Sequence, residues 1–235
     1  DIAIDTVTEV TVETATVEGD GVINHDERSD GVTLTGTAEP GATVEVDLGG
    51  TMTTVTAAGD GTWSADFPRS AIPLGESVQT VTAVATDAAG NTATATGTVE
   101  VDTLVDPLTG AAPVTADDTV NAMEHADGIT LTGTVERGAT VQVKLQGTTR
   151  EAHVAEDGTW SADFAASEIA TGDYTAEVII RAVDEAGNIR SIEDSFRVDT
   201  VEPEVPLVDS VDMGRSGLRS FGIAEADEGL EVTEI

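Results

Sequence analysis

Thr43-Val-Glu-Val-Asp-Leu-Gly-Gly-Thr51 is the stretch whose reading decides the fold. Side chains alternate along an extended chain, so Val44, Val46 and Leu48 share one face while Thr43, Glu45 and Asp47 share the other. One face is written for a core and the other for water, as in an antiparallel sheet. Gly49-Gly50 supplies the positive-φ positions that a tight hairpin requires, and Asp60-Gly61 does the same further on. Working outward, the alternation is broken by Gly and Asp turns at intervals of about ten residues, which is the spacing of an all-β sandwich. It predicts strands A to G over 6–14, 32–38, 43–48, 51–57, 62–67, 78–86 and 92–101. Seven strands of this kind predict an immunoglobulin-like β-sandwich.

The pattern then recurs at an offset of 97 residues. Asp30-Gly-Val-Thr-Leu-Thr-Gly-Thr37 returns as Asp127-Gly-Ile-Thr-Leu-Thr-Gly-Thr134, and Asp60-Gly-Thr-Trp-Ser-Ala-Asp-Phe67 returns as Asp157-Gly-Thr-Trp-Ser-Ala-Asp-Phe164. Gly41-Ala-Thr-Val44 matches Gly138-Ala-Thr-Val141, and Asp87-Ala-Ala-Gly-Asn91 matches Asp184-Glu-Ala-Gly-Asn188. The expected organisation is module one at 1–101, module two at 102–198, and a divergent third start or tail at 199–235. Pro107 and Pro113 stiffen the expected linker from Asp102 to Ala116. The tail repeats Val101-Asp-Thr103 as Val198-Asp-Thr200 and then leaves the register. Its two possible strands cannot form a sandwich alone. Tandem whole domains build length, so the array points to an extended rod before it points to a catalyst.

Composition supports that direction. Aromatic residues are 3% of the chain, so each core must rest on Val, Ala, Leu and Ile with one Trp per copy, Trp63 and Trp160. The net charge is −35, from 45 acidic and 10 basic residues. It is spread along the chain, with 16 acidic and 2 basic groups in residues 5–101 and 18 and 6 in residues 102–198. Such a chain repels nucleic acid and acidic lipid and attracts cations. There is no cysteine for a disulfide. No apolar run is long enough to insert in a membrane, and with no leader the chain reads as part of something longer.

Thr35-Gly-Thr-Ala-Glu-Pro-Gly-Ala-Thr-Val44, Asp60-Gly-Thr-Trp63, Asp87-Ala-Ala-Gly-Asn91 and the Val-Asp-Thr boundary together resemble the bacterial Ig-like repeats of giant RTX-type adhesins of Gram-negative bacteria. The resemblance covers about residues 5–200 and implies type I secretion, an extracellular cell-surface location and calcium between modules. It also implies the extender region of an adhesin for biofilm or host attachment, rather than its adhesive tip. The expected partners are neighbouring modules of the same parent chain, and the expected state is a monomer.

Topology points to a cation independently. In a seven-strand sandwich the AB turn and the end of strand G share one end, while the BC and FG turns share the other. Where module one meets module two, Asp20, Asn24 and Glu27 would therefore face Asp102 and Asp184. Crowded carboxylates at neutral pH call for a hard cation with 6 to 8 oxygen ligands, so Ca2+ is expected at this joint. At the outer ends, Asp5 and Asp87 would serve a preceding module, while Asp117, Asp118, Asn121, Glu124 and Asp199 would serve a following one. The turn from Asp20 matches the back half of an EF-hand loop but fails in its front half, where Thr16 takes the first position.

Other readings stand beside these. Asp and Asn favour turns through local hydrogen bonds, which accounts for Asn91 and Asn188 without a metal. Trp63 and Trp160 read as core, although an exposed Trp face would suit a glycan. Halophilic adaptation of a wall or enzyme-accessory domain would also produce the acidity. His25, His125 and His153 do not recur at the repeat offset, and no Cys nucleophile, phosphate loop or His-Glu-x-x-His motif is present, so no enzyme is expected.

Overall fold

A computed structural model describes residues 6–203, 208–214 and 217–223. Module one runs β1 (Val22–Ile23), α1 (His25–Asp30), β2 (Val32–Thr37), β3 (Thr43–Leu48), β4 (Thr51–Thr56), β5 (Thr62–Phe67), β6 (Glu76–Thr86) and β7 (Thr92–Asp102). Module two repeats this as β8 (Thr119–Asn121), α2 (Ala122–Asp127), β9 (Ile129–Thr134), β10 (Thr140–Leu145), β11 (Thr148–Glu151), β12 (His153–Val154), β13 (Thr159–Phe164), β14 (Asp173–Val183) and β15 (Ile189–Asp199). The first sandwich packs a sheet in the order β1-β7-β6-β3-β4 on the β2-β5 pair. The second packs β11-β10-β14-β15-β8 on β12-β13-β9. The expected all-β, immunoglobulin-like class is what the chain adopts. A further hairpin joins β16 (Val208–Gly214) to β17 (Gly217–Ile223).

The alternation in β3 works as written: Val44, Val46 and Leu48 are fully buried and pair across β6 with Ala85, Ala83 and Val81. Each module closes its own core, and the two do not merge. Trp63 and Trp160 are 3% and 1% exposed, so both are core residues, and neither offers the open ring face that a sugar platform needs. Tyr174 donates its hydroxyl to the Ala170 carbonyl at 2.7 Å, closing the corner as a structural residue.

Three local features differ from the sequence reading. Strand A is not one continuous strand. Residues 10–13 run beside β2 through Thr11 N to Thr37 O and Glu13 N to Thr35 O, and the chain then crosses to the other sheet as β1, parallel to β7. The expected linker is mostly the corresponding edge of module two: Thr109 N and Ala112 N donate to Thr134 O and Thr132 O, and Val105 and Leu108 join its core. The AB turns contain six-residue helices, α1 and α2, too short to leave a helical period. Arg28 anchors α1 by donating Nε to the Ile72 carbonyl at 2.8 Å. His125, at the same place in the repeat, ties α2 to the Ile169 carbonyl through Nε2 at 2.8 Å.

Gly36 and Gly133 sit where β2 and β9 cross the Trp edge. A Cβ at Gly36 would overlap the Thr11 carbonyl and the Trp63 indole, and one at Gly133 would overlap the Gly110 carbonyl and Trp160. Urea unfolding is expected to show Gly36→Ala destabilising by about 1–3 kcal/mol through overpacking. Gly59→Ala, which meets nothing within 4 Å, should stay within about 0.5 kcal/mol of the parent.

Candidate metal centre at the module joint

Only Asp102, Thr103 and Leu104 separate Val101, in the first core, from Val105, in the second. The chain between those two valines can span at most about 14 Å, so the sandwich ends must meet. Thr103 is 1% exposed and fixes the exit of β7, because Gly75 N donates to its Oγ1 at 2.8 Å. Thr200 repeats the contact with Gly172 N at 2.7 Å. The shared Val-Asp-Thr boundary is therefore a strand-end clasp.

Three carboxylates converge at the joint. Asp102 at the end of β7, Glu136 in the turn after β9 and Asp184 after β14 present oxygens within 4.8 Å of one another, the one such group of three among the described residues. Asp184 is buried, and Asp102 and Glu136 are partly so. Burial raises the Asp102 carboxyl above its ordinary value, and the charge of Asp184 adds to this. Burial likewise raises Glu136, helped by the charges of Asp102 and Asp184 against a lowering hydrogen bond from Asp106 N. Glu76, paired with Asp102 across β6 and β7, pushes both further up.

Neutral donors already touch this group. Asn188 Nδ2 donates to Asp184 Oδ2 at 2.8 Å, to the Asp102 carbonyl at 2.9 Å and to Asp102 Oδ1 at 3.1 Å. Asp106 N donates to Glu136 Oε2 at 3.0 Å. From module one, Asn24 Nδ2 reaches the Ala186 carbonyl at 3.2 Å and His25 N reaches Asn188 Oδ1 at 2.7 Å.

The structure thus brings Asp102 and Asp184 together as read from topology, with Glu136 as the third carboxylate in place of Asp20 and Glu27. Asn24 does lie at the joint, but its Oδ1 caps α1 by accepting from Asp26 N and Glu27 N, while Glu27 Oε2 accepts from Asn24 N. This reciprocal capping box recurs as Asn121 and Glu124 around α2, which explains their identical spacing without a metal. Asp20 accepts from Val22 N, and Asp117 likewise from Thr119 N. The Glu27 carboxyl is raised by burial, then by Asp20, Glu18 and Asp26, against the lowering bond from Asn24 N. Asp118 accepts from Val114 N and Asp199 from Val201 N. Asp87 is buried, which raises its carboxyl, but donors on Asn91, Ala89 and Gly90 outweigh this and hold it low. Asp5 lies outside the described residues. Glu136 had a sequence signal: Glu39 stands at the same offset in the BC turn, at the end of the sandwich that topology assigns to the joint.

Residues 23–102 match the bacterial Ig domain family and residues 114–200 the bacterial Ig-like domain family. Between them the matches take in most of the chain, which belongs to the bacterial Ig-like repeat proteins. Its modules are structural rather than catalytic. Among solved structures, the chain is similar to part of a 1.5-MDa bacterial ice-binding adhesin described in connection with host cell surface retention. Identity there is 28%, TM-score 0.51, over 84% of this chain and 67% of the other. It is also similar to a Ca2+-stabilised adhesin with which an Antarctic bacterium binds ice, at 30% identity and TM-score 0.51 over 86% of this chain. The chain spans 50% of that structure. A single Ig-like domain of the M. primoryensis ice-binding adhesin is 30% identical over 43% of this chain and 100% of its own, with TM-score 0.33. No curated protein matches the chain. Among the described residues, no helix is long and apolar enough to cross a membrane.

Because Asp102 and Glu136 are raised, the folded metal-free chain holds their protons more tightly than the unfolded chain does. Their unfavourable contribution is complete above the raised values and is relieved as the pH falls through them toward 3.8 and 4.5. Asp60, Asp117 and Asp157 are lowered by hydrogen bonds from Thr62, Thr115 and Thr159, and their stabilisation is lost at lower pH. In EDTA, lowering the pH from neutral is therefore expected to raise the melting temperature at first, as Asp102 and Glu136 take up protons, and then to lower it as the hydrogen-bonded aspartates are protonated. Glu136→Gln should flatten the rise and Glu39→Gln should not, as followed by circular dichroism.

Proposed function

We propose that this chain is an extender segment of a secreted bacterial surface adhesin, in which Ca2+ held between modules stiffens a rod. Module one spans 1–101, module two 102–198, and 199–235 opens a further unit. The single observation that carries the reading is that the boundary residue Asp102, which closes β7 of the first sandwich, and Glu136 and Asp184, from the second, form one carboxylate group at the joint. Neither sandwich supplies it alone, so an ion there is an ion between bodies.

The donor set fits calcium. Three carboxylates each bring an oxygen within 4.8 Å of the others, hard ligands of the kind that Ca2+ takes, and Asp184 is withdrawn from water. A divalent ion offsets the burial and the repulsion that raise Asp102 and Glu136, and its binding free energy adds to the stability of the joined state. The similarity to a Ca2+-stabilised adhesin supports the choice of ion. Asp20, Asn24 and Glu27 lie in the adjoining turn and cap as a second tier of oxygens. At the outer ends, Asp5 and Asp87 with Glu39 would face a preceding module, and Asp117, Asp118, Asn121, Glu124 and Asp199 a following one.

Function on this reading is reach. The parent would be a Gram-negative, type I-secreted adhesin serving biofilm or host attachment, and this segment would act as a monomer, joined to neighbouring modules and touching neither nucleic acid nor membrane.

The test is calcium titrated into EDTA-treated protein in physiological sodium chloride, with thermal melts and small-angle scattering in parallel. Free calcium at about 100 times its Kd should add about 2.7 kcal/mol of stability and reduce bending. Glu136→Gln and Asp184→Asn should lose most of that response, while Asp87→Asn, altered in the matching turn of module one, should keep it. An unchanged melt and maximum dimension in the parent protein at millimolar calcium would overturn the reading.

A further inference from the structure

Asn188 and Asn91 occupy the same place in the two modules, and the repeat makes each the control for the other. Both close their own turn in the same way. Their backbone N–H groups donate to Asp184 and Asp87 Oδ1, each at 2.8 Å, and their Nδ2 groups donate to the same carboxylates' Oδ2 at 2.8 and 2.7 Å. Among the described residues, Asn188 alone of the two also crosses to another module. Its Nδ2 reaches the carbonyl and Oδ1 of Asp102, and its Oδ1 accepts from His25 N at the first position of α1. Beside it, Asn24 Nδ2 donates to the Ala186 carbonyl in the same turn. Asn188 is 4% exposed, so these bonds are shielded from competing water.

The chemistry at this position is restrictive. The group must donate to a carboxylate and a carbonyl on one side and accept from a backbone N–H on the other. A carboxylate would repel Asp102 and Asp184, and an ammonium could not accept from His25. An amide satisfies both sides, and donation to a carboxylate makes a stronger bond than donation to a neutral acceptor.

We propose that Asn188 is a metal-independent latch that sets how module two seats on module one. Together with the capping Asn24, it forms the surface by which one module recognises the next. The lower half of the surface is a helix-capping Asn and the boundary Asp. The upper half is the Asp-x-x-Gly-Asn turn. Module one carries the upper half again as Asp87 to Asn91, and module two carries the lower half again as Asn121 and Asp199. The partner that fits either is another Ig-like module bearing the opposite half, seated in the same orientation. Asn188 acts as a positioning residue, and calcium strengthens a geometry already chosen.

The chain has no cysteine, so Ser64→Cys and Thr175→Cys in the full chain accept one spin label on each module. Inter-label distances are measured by pulsed electron resonance in EDTA, where calcium plays no part. The unaltered joint should show one narrow distribution. Asn188→Ala should broaden or shift it about twofold in width, the behaviour of domains joined by a small contact that has been lost. Asn91→Ala, which loses the same turn bonds, should leave it unchanged. His25→Pro provides an independent check, since proline is favoured at the first position of a helix yet removes the N–H that Asn188 accepts. It should broaden the distribution while Ala122→Pro, its equivalent in module two, does not. Narrow distributions at the unaltered distance in both Asn188→Ala and His25→Pro would overturn the proposal, as would equal broadening in Asn91→Ala and Ala122→Pro.

Discussion

The brevity of the connection governs this molecule. With Val101 in one core and Val105 in the next, the two sandwiches cannot hold their ends apart, and whatever lies on those ends must be reconciled at close range. Thr103 directs the exit by clasping Gly75, and Arg190 of module two holds the entering strand by donating to the Val105 carbonyl at 3.0 Å. A linker of so few residues, clasped at both ends, has little freedom to bend, as the proposed rod requires.

Two kinds of interaction then share the joint. The carboxylates of Asp102, Glu136 and Asp184 oppose one another, and burial makes the opposition stronger because the local medium screens less than water. The Asn188 amide and the Asp106 N–H donate to those carboxylates and partly compensate their charge, while the Asn24 amide and the His25 N–H donate to the Ala186 carbonyl and to Asn188 Oδ1 across the joint. Neutral donors set direction, since hydrogen bonds fail when misaligned. The divalent cation proposed for the joint would supply what they cannot, which is net positive charge. The same division explains why a chain with 45 acidic residues and 10 basic ones is built almost without ion pairs across its joint. The described bridges, such as Arg150 with Glu168, lie within module two and are partly exposed, where such pairs contribute little.

The repeat also shows which features the architecture demands and which it tolerates. The capping box, the Thr clasp, the Trp against a strand glycine and the Asp–Asn turn occur in both modules. Arg28 and His125 differ in chemistry yet both tie the short helix to a carbonyl across the sandwich end, so the tie is needed and its charge is not. Strand β4 stays with one sheet, whereas its equivalent divides into β11 and β12 and changes sheets, because the edge of a sandwich can be paired from either side.

Sequence alone determined the sandwich, the two modules and their buried faces, because side-chain alternation and Gly-Asp turns are local properties that survive without knowledge of what they pack against. It also placed Asp102 and Asp184 at a common joint, since strand order assigns each turn to one end. It left the rest open. The helices α1 and α2 are too short to show a period, and their capping residues use the same side chains as a metal site, so Asn24 and Glu27 could not be separated from ligands by type or spacing. Glu136 was visible as a repeated acid but not as a neighbour of Asp102, and Asn188 as a turn residue but not as a contact between modules. Those roles depend on distances between residues 34 and 86 positions apart in the chain. Only the seating of one folded end on another brings them within bonding range.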